Sequence, residues 1–140
     1  MKVTELLTES IEGRVNLIDA LEQFLPLVTS ILELDELPKI NLVDRVEEDE
    51  QPTFGRYSLD DSSILLAILN RHPIDILRTL AHELVHYKQD KENRLTPHSG
   101  ETGSDEENEA HEQAGIVMRN FAKQYPEFFS TNGVAVVTSK

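Results

Sequence analysis

The sequence predicts an α+β fold with N-terminal helices, a small mostly antiparallel sheet and two later helices. Apolar residues recur every three or four positions through residues 3–36 and again after Pro73 and Ser104. Short apolar or alternating segments between these stretches have the length of strands. The chain has 140 residues, of which 39% are hydrophobic and 28% charged, enough to bury one core. We therefore expect a single domain over residues 1–125 and a C-terminal tail over residues 126–140.

The composition narrows the classes of partner and site. Thirteen basic and 26 acidic residues give a net charge of −13, which would repel nucleic acid and membrane surfaces and attract a basic protein or peptide segment. Cysteine is absent, so any metal site must use histidine and carboxylate ligands. The acidic N-terminus and the lack of a long apolar run lead us to expect a cytoplasmic protein.

The first half of the chain predicts helix followed by strands. Pro26 interrupts the helical pattern of residues 3–36, either as a kink or as the first residue of a second helix. Ile40 and Leu42 alternate with polar residues, which predicts a short strand, and VEEDEQPTFG (residues 46–55) predicts an acidic loop. The run SILLAIL, residues 63–69, has the length of a well-covered strand.

Two helices are predicted in the second half. The first begins at Pro73 and has an apolar stripe through Ile74, Leu77, Leu80, Ala81, Leu84 and Val85. The second is capped by Ser104, with Glu107 placed to reach back in a capping box, and ends before Pro126. Its stripe runs through Ala110, Ala114, Val117, Met118 and Phe121. The last eleven residues predict a loose tail with one candidate strand at VAVV, residues 134–137.

The segment TLAHELVHYKQD, residues 79–90, carries the clearest chemical signal. His82 and His86 lie four positions apart, roughly 140 to 180° from Leu77 and its stripe, and Glu83 follows the first histidine. On a helix this spacing lets both imidazoles reach one ion, while Glu83 is placed to accept a proton from a metal-bound water. Chance would give about 0.02 such matches in a chain of this composition. The segment therefore predicts a Zn²⁺ site; the alternative is a helix with two solvent-facing histidines.

A catalytic zinc ion needs a third protein ligand and a free position for water. Glu107 lies within roughly 20° of the centre of the stripe on its helix, whereas Glu109 lies roughly 140° away. A buried carboxylate needs a partner, and a metal ion would be one. Glu107 is therefore the expected third ligand, with Glu109 and His98 as alternatives, unless Glu107 only closes the capping box.

TLAHELVHYKQ followed by SDEENEAHEQAG resembles the small gluzincin metallopeptidases, in which an HExxH helix precedes a second helix with a Glu ligand in an E-x-x-A-[D/N] context. The resemblance covers about residues 57–122 and places Glu107 at the ligand position. It implies a zinc peptidase of phage or bacterial type, in the host cytoplasm if phage-encoded. Strand 63–69 would then be the sheet edge that aligns an extended peptide. His111 departs from the family, which has Asp or Asn there to orient a zinc-bound histidine.

These observations predict a zinc metallopeptidase in which Glu83 is the catalytic base and His82, His86 and Glu107 bind the metal. Its substrate would be a protein or peptide. The rival hypothesis is a non-catalytic acidic virion or regulatory binding protein that retains a zincin-like fold. The oxyanion of the transition state would need a further stabilising residue. The candidates are His98, His72, Arg71, Arg78 and Tyr87. Of these, His72 better fits a helix cap and Arg78 a residue on the helix face.

Overall fold

A computed structural model of the chain describes residues 17–48, 51–96, 99 and 101–129. The described chain has an α+β architecture, as predicted. The helices are α1 (Leu17–Leu32), α2 (Pro73–Lys91) and α3 (Asp105–Gln124), followed by a 3₁₀ helix, Pro126–Phe128. The strands are β1 (Lys39–Val43), β2 (Val46–Glu48), β3 (Gln51–Thr53), β4 (Gly55–Ser58) and β5 (Ser63–Ala67). Among the described residues no helix is long and apolar enough to cross a bilayer.

The main sheet has three strands in the order β1-β5-β4. Strand β5 pairs in parallel with β1, from Lys39 opposite Ser63, and antiparallel with β4, from Ser58 opposite Ser63. The strand predicted at residues 63–69 is thus present, but it is the central strand of the sheet. The expectation that it forms the edge is wrong, because the sheet adds β4 beyond it. The edge beside helix α2 is β4.

The prediction of an acidic loop at residues 46–55 is also wrong in part. Strands β2 and β3 form a small antiparallel ribbon, in which Val46 lies opposite Thr53. Strand β4 then begins at Gly55. Three-residue strands are too short to show an alternating pattern, so acidic and turn-forming residues dominated the sequence signal.

Local sequence signals set the bounds of the helices. Pro26 lies inside the continuous helix α1, so no second helix begins there. Helix α2 begins at Pro73, and the side chain of His72 caps it by accepting a hydrogen bond from the Ile74 N–H, which confirms the predicted cap. Ser104 caps α3 by accepting from the N–H of Glu107, and α3 ends at Gln124, before Pro126.

The core forms where α2 packs against β4 and β5 and where α1 and α3 pack against α2 and against each other. All five predicted stripe residues of α3 are buried. Phe24 of α1 meets Phe121 of α3 edge to face, with ring centroids 5.2 Å apart. Beyond α3, Phe128 stacks on Phe121 at 5.7 Å and Phe129 also packs against the core. The predicted start of the first helix before Leu17 and the strand at residues 134–137 lie outside the described residues.

Candidate metal centre

Helix α2 presents both histidines of the HELVH segment to one side. Their rings meet edge to face with centroids 4.8 Å apart, as expected for residues one turn apart. His86 is 9% exposed, and His82 is half-buried because α3 crosses in front of it. Neither histidine is therefore a freely solvated surface residue.

Helix α3 brings Glu107 to the two histidines. Its Oε1 lies 2.9 Å from Nε2 of His82, and its Oε2 lies 3.0 Å from Nε2 of His86. The expected reach of Glu107 back to the Ser104 N–H is not made, because that N–H donates to the carbonyl of Glu101 instead. The carboxylate thus faces α2, with each oxygen opposite one imidazole nitrogen.

His111 approaches the same carboxylate from the next turn of α3. Its Nε2 lies 3.3 Å from Oε1 of Glu107, and its ring lies 4.6 Å from that of His82. Ligand atoms of His82, Glu107 and His111 all fall within 4.8 Å of one another. The His111 side chain is 71% exposed, so it lies at the open side of the cluster, whereas His86 lies at the buried side.

The environment of His82 favours its neutral form. Burial is the main reason that its pKa falls to about 4, and the neighbouring His86 and His111 lower the pKa further. The carboxylate of Glu107 acts in the opposite direction but does not outweigh burial. At neutral pH His82 is therefore uncharged, which is the form that binds a metal ion.

Gln89, a residue to which the sequence assigned no role, completes the buried side of the cluster. It is fully buried, and its Nε2 donates to the carbonyl of Glu106 at 3.0 Å and to Oε1 of Glu109 at 2.9 Å. Both partners only accept hydrogen bonds, so the amide nitrogen must be on that side. Its Oε1 then faces Nδ1 of His86 at 2.9 Å. His86 must carry a proton on Nδ1, and in the neutral ring Nε2 has a free lone pair.

The alternative third ligands have other positions. Glu109 accepts from Gln89 and from Arg94, and the bond from Arg94 is the largest cause that lowers the pKa of Glu109. His98 lies outside the described residues. Glu107 is thus the carboxylate that meets both HELVH histidines, although its role as a metal ligand stays a prediction.

The candidates for stabilising an oxyanion have mostly structural contacts. Arg71 donates to the carbonyl of Ala67 at 2.7 Å and to Oγ1 of Thr79 at 2.7 Å. Arg78 pairs with Asp75 at 3.5 Å on the surface, and Tyr87 is buried. None of these contacts directs a side chain at the cluster.

A cleft passes over the cluster and along strand β4. It consists of two cavities of about 430 and 590 Å³ that share Thr53, Gly55, His82 and Glu83 in their walls. Glu107 lines the first cavity and His111 the second. Glu83 is thus at the point where both cavities meet, beside the histidines and opposite the sheet edge.

Comparison of the chain with known protein families, with curated proteins and with solved structures gives no match. Its function is therefore inferred from the side chains of this site.

Proposed function

We propose that the protein is a zinc-dependent metallopeptidase, with His82, His86 and Glu107 as metal ligands and Glu83 as the general base. One observation carries the proposal. The two Nε2 atoms of the HELVH helix lie 2.9 and 3.0 Å from the two oxygens of a single carboxylate on another helix. Two imidazoles and one carboxylate are a donor set typical of catalytic zinc.

The state of His86 supports a cation at this point. Its Nδ1 proton is donated to Oε1 of Gln89. In the neutral ring the lone pair of Nε2 therefore faces the lone pairs of Glu107 Oε2. Two facing acceptors repel each other, and either a proton on one of them or a metal ion between them removes the repulsion.

His86 is a better third donor than His111. Its ring is held by Gln89 and is almost enclosed, whereas the His111 side chain is 71% exposed. Holding a ring in advance reduces the entropy lost when it binds a ligand. With His111 left out, the cluster keeps the open position that a catalytic site requires.

The chemistry follows from the placement of Glu83. Bound zinc would supply Lewis-acid chemistry, lowering the pKa of a coordinated water to about 7. Glu83 takes a proton from the attacking water and delivers it to the departing amine nitrogen, which balances the hydrolysis of the peptide bond. Its position between the two cavities lets it face a substrate that runs through both.

Strand β4 supports an extended peptide as the substrate. It pairs with β5 on one side, and no other described strand pairs with its outer edge. A peptide can add to such an edge through backbone hydrogen bonds. Phe54 and Leu59, at its two ends, are 65% and 55% exposed and offer apolar surface to substrate side chains. The net charge of −13 favours a basic peptide.

The test combines metal analysis with peptide cleavage. The purified protein is expected to contain or take up one zinc ion per chain and to cleave an unstructured peptide library. Glu83→Gln should bind zinc as the wild type does and lose activity by at least about 100-fold, since it removes the base. Glu112→Gln is the control, because it removes one exposed carboxylate from α3.

Two results would contradict the proposal. Failure of the folded wild-type protein to bind zinc removes the metal centre altogether. Zinc binding without hydrolysis, unchanged by Glu83→Gln, supports the rival hypothesis of a non-catalytic acidic binding protein.

A further inference from the structure

Gln89 is an unusual residue for the interior of a small domain. It is fully buried, and burying an unpaired amide costs several kcal/mol. Three of its four hydrogen-bonding positions are nevertheless used, since both hydrogens of Nε2 are donated and Oε1 accepts from His86. A polar side chain held in this way can have only one orientation.

The contacts of Gln89 join the two helices that carry the cluster. On its own helix, α2, it contacts His86 one turn earlier. On α3 it contacts the backbone carbonyl of Glu106, the residue directly before Glu107. One side chain therefore determines both the rotation of an imidazole and the position of the helical turn that presents the carboxylate.

The orientation of the amide decides which nitrogen of His86 can bind a metal. If the amide were reversed, its NH₂ would face Nδ1, which would then have to accept, and the ring proton would move to Nε2. An Nε2 that carries a proton cannot bind a metal ion. Glu109 prevents this reversal, since its carboxylate accepts from the Gln89 nitrogen and would repel the oxygen. Arg94 in turn holds Glu109, at 3.0 and 3.1 Å.

We propose that Gln89 is a positioning residue of the metal centre, and that Glu109 and Arg94 keep its amide in the orientation that leaves Nε2 of His86 free for the ion. The inference rests on the proposed function, because it assumes that the cluster binds zinc.

The main experiment compares Gln89→Met with Gln113→Met. Both replace a glutamine by an apolar side chain of similar size, but Gln113 lies on α3 near Glu109 and its side chain makes no hydrogen bond to a described residue. The affinity for zinc is measured by competition with a chelator of known affinity, on protein shown to be folded. Gln89→Met should bind zinc about 10- to 100-fold more weakly than the wild type, whereas Gln113→Met should not differ from it.

A second readout observes the hydrogen bond itself. In the zinc-loaded wild type, the Nδ1 proton of His86 should give a slowly exchanging NMR signal, because it is bonded to a buried acceptor. Gln89→Met should lose this signal. If Gln89 were only structural, its replacement would lower the free energy of unfolding of the metal-free protein but leave the zinc affinity of the folded protein unchanged.

Variants of Glu109 keep the test decisive if Gln89→Met does not fold. The Glu109 side chain is 36% exposed, so its truncation leaves the core intact. Glu109→Ala should weaken zinc binding by at least about threefold, and Glu109→Gln, which keeps an acceptor oxygen, should restore most of the affinity. If Glu109→Ala binds zinc as tightly as the wild type, Glu109 does not hold the amide and the proposed relay is wrong.

The two proposals fail in different ways. A wild-type protein that takes up no zinc overturns the proposed function, and this inference falls with it. A wild-type protein that binds zinc, together with a folded Gln89→Met variant of equal affinity, overturns the role of Gln89 alone.

Discussion

The phenol of Tyr57 donates a hydrogen bond of 2.6 Å to Oδ2 of Asp90, which ties the edge strand β4 to the last turn of helix α2. Burial and then the bond to Asp90 raise the pKa of Tyr57 to about 12, so the phenol keeps its proton and donates throughout the neutral range. The Tyr57 ring also meets that of Tyr87 edge to face at 6.0 Å. Together these contacts fix the strand that borders the cleft relative to the helix that carries the histidines.

Replacing Tyr57 by phenylalanine should loosen the edge strand. The change removes the hydrogen bond to a charged acceptor together with a contact to the Ser62 side chain, and keeps the ring contact. We expect a loss of about 1–2 kcal/mol in the free energy of unfolding, measured by urea denaturation. If a substrate lies along β4, KM should rise more than kcat falls. The control is Tyr125→Phe, since no described residue hydrogen-bonds to the Tyr125 hydroxyl. Equal stability of the two variants would show that the bond to Asp90 contributes nothing.

The close approach of β4 to α2 explains why residue 55 is glycine. A Cβ there would lie 2.5 Å from Cγ2 of Thr79 and 3.3 Å from the carbonyl oxygen of Leu65. Gly55→Ala should therefore push the strand from the helix and destabilise the protein by about 1–3 kcal/mol.

The contact can be tested with a double-mutant cycle. Thr79→Ser removes the Cγ2 methyl group and keeps the hydroxyl that bonds Arg71 and Asp75. Alone it should cost at most about 0.8 kcal/mol, the value of one fully buried methyl group, because Thr79 is only half-buried. In combination with Gly55→Ala it should restore part of the lost stability, leaving the contacts with the carbonyl oxygen of Leu65 and with Cδ2 of Leu66. Strictly additive changes in the free energy of unfolding would mean that the added Cβ does not clash with Thr79.

Much of the fold was predictable because the signals are local. Pro73 marks a helix start through its fixed backbone angle and Ser104 through its side-chain cap, and the apolar stripes identify the buried faces of the helices that follow. The order of strands in a sheet is not local. Residues 55–58 have no apolar pattern, so nothing in the sequence indicated that they would pair with β5 and form the edge strand of the sheet.

The candidate site likewise combines features that local sequence signals predict with features that depend on non-local contacts. Helical spacing relates His82 to His86, and helical phase indicates the side of α3 on which Glu107 lies. The role of Gln89 depends on α3 passing close enough to accept from its amide. A single buried glutamine has no periodic signature, and its spacing of three residues from His86 gains meaning only once that contact is known.

Burial of His82 predicts a loss of stability in mild acid. Its pKa is about 4 in the folded protein and about 6.5 in an unfolded chain. Between these values the unfolded chain binds more protons, so the free energy of unfolding of metal-free protein should decrease as pH falls from 6.5 toward 4. Thermal unfolding in the presence of a chelator measures this slope. His82→Gln should have a flatter profile across the same window, and identical slopes would contradict the assigned burial effect.

Substitution of His111 decides which three residues bind the ion. Its exposed side chain and the enclosed, hydrogen-bonded ring of His86 lead us to expect that His111→Ala keeps zinc affinity within about threefold, whereas His86→Ala lowers it by at least about 100-fold. The matched control is His72→Asn, which removes a histidine outside the centre while keeping a side chain that caps α2. The opposite ranking would mean that His82, Glu107 and His111 form the centre. An equal loss from both variants would indicate four protein ligands and a closed site, which would leave no position for the attacking water.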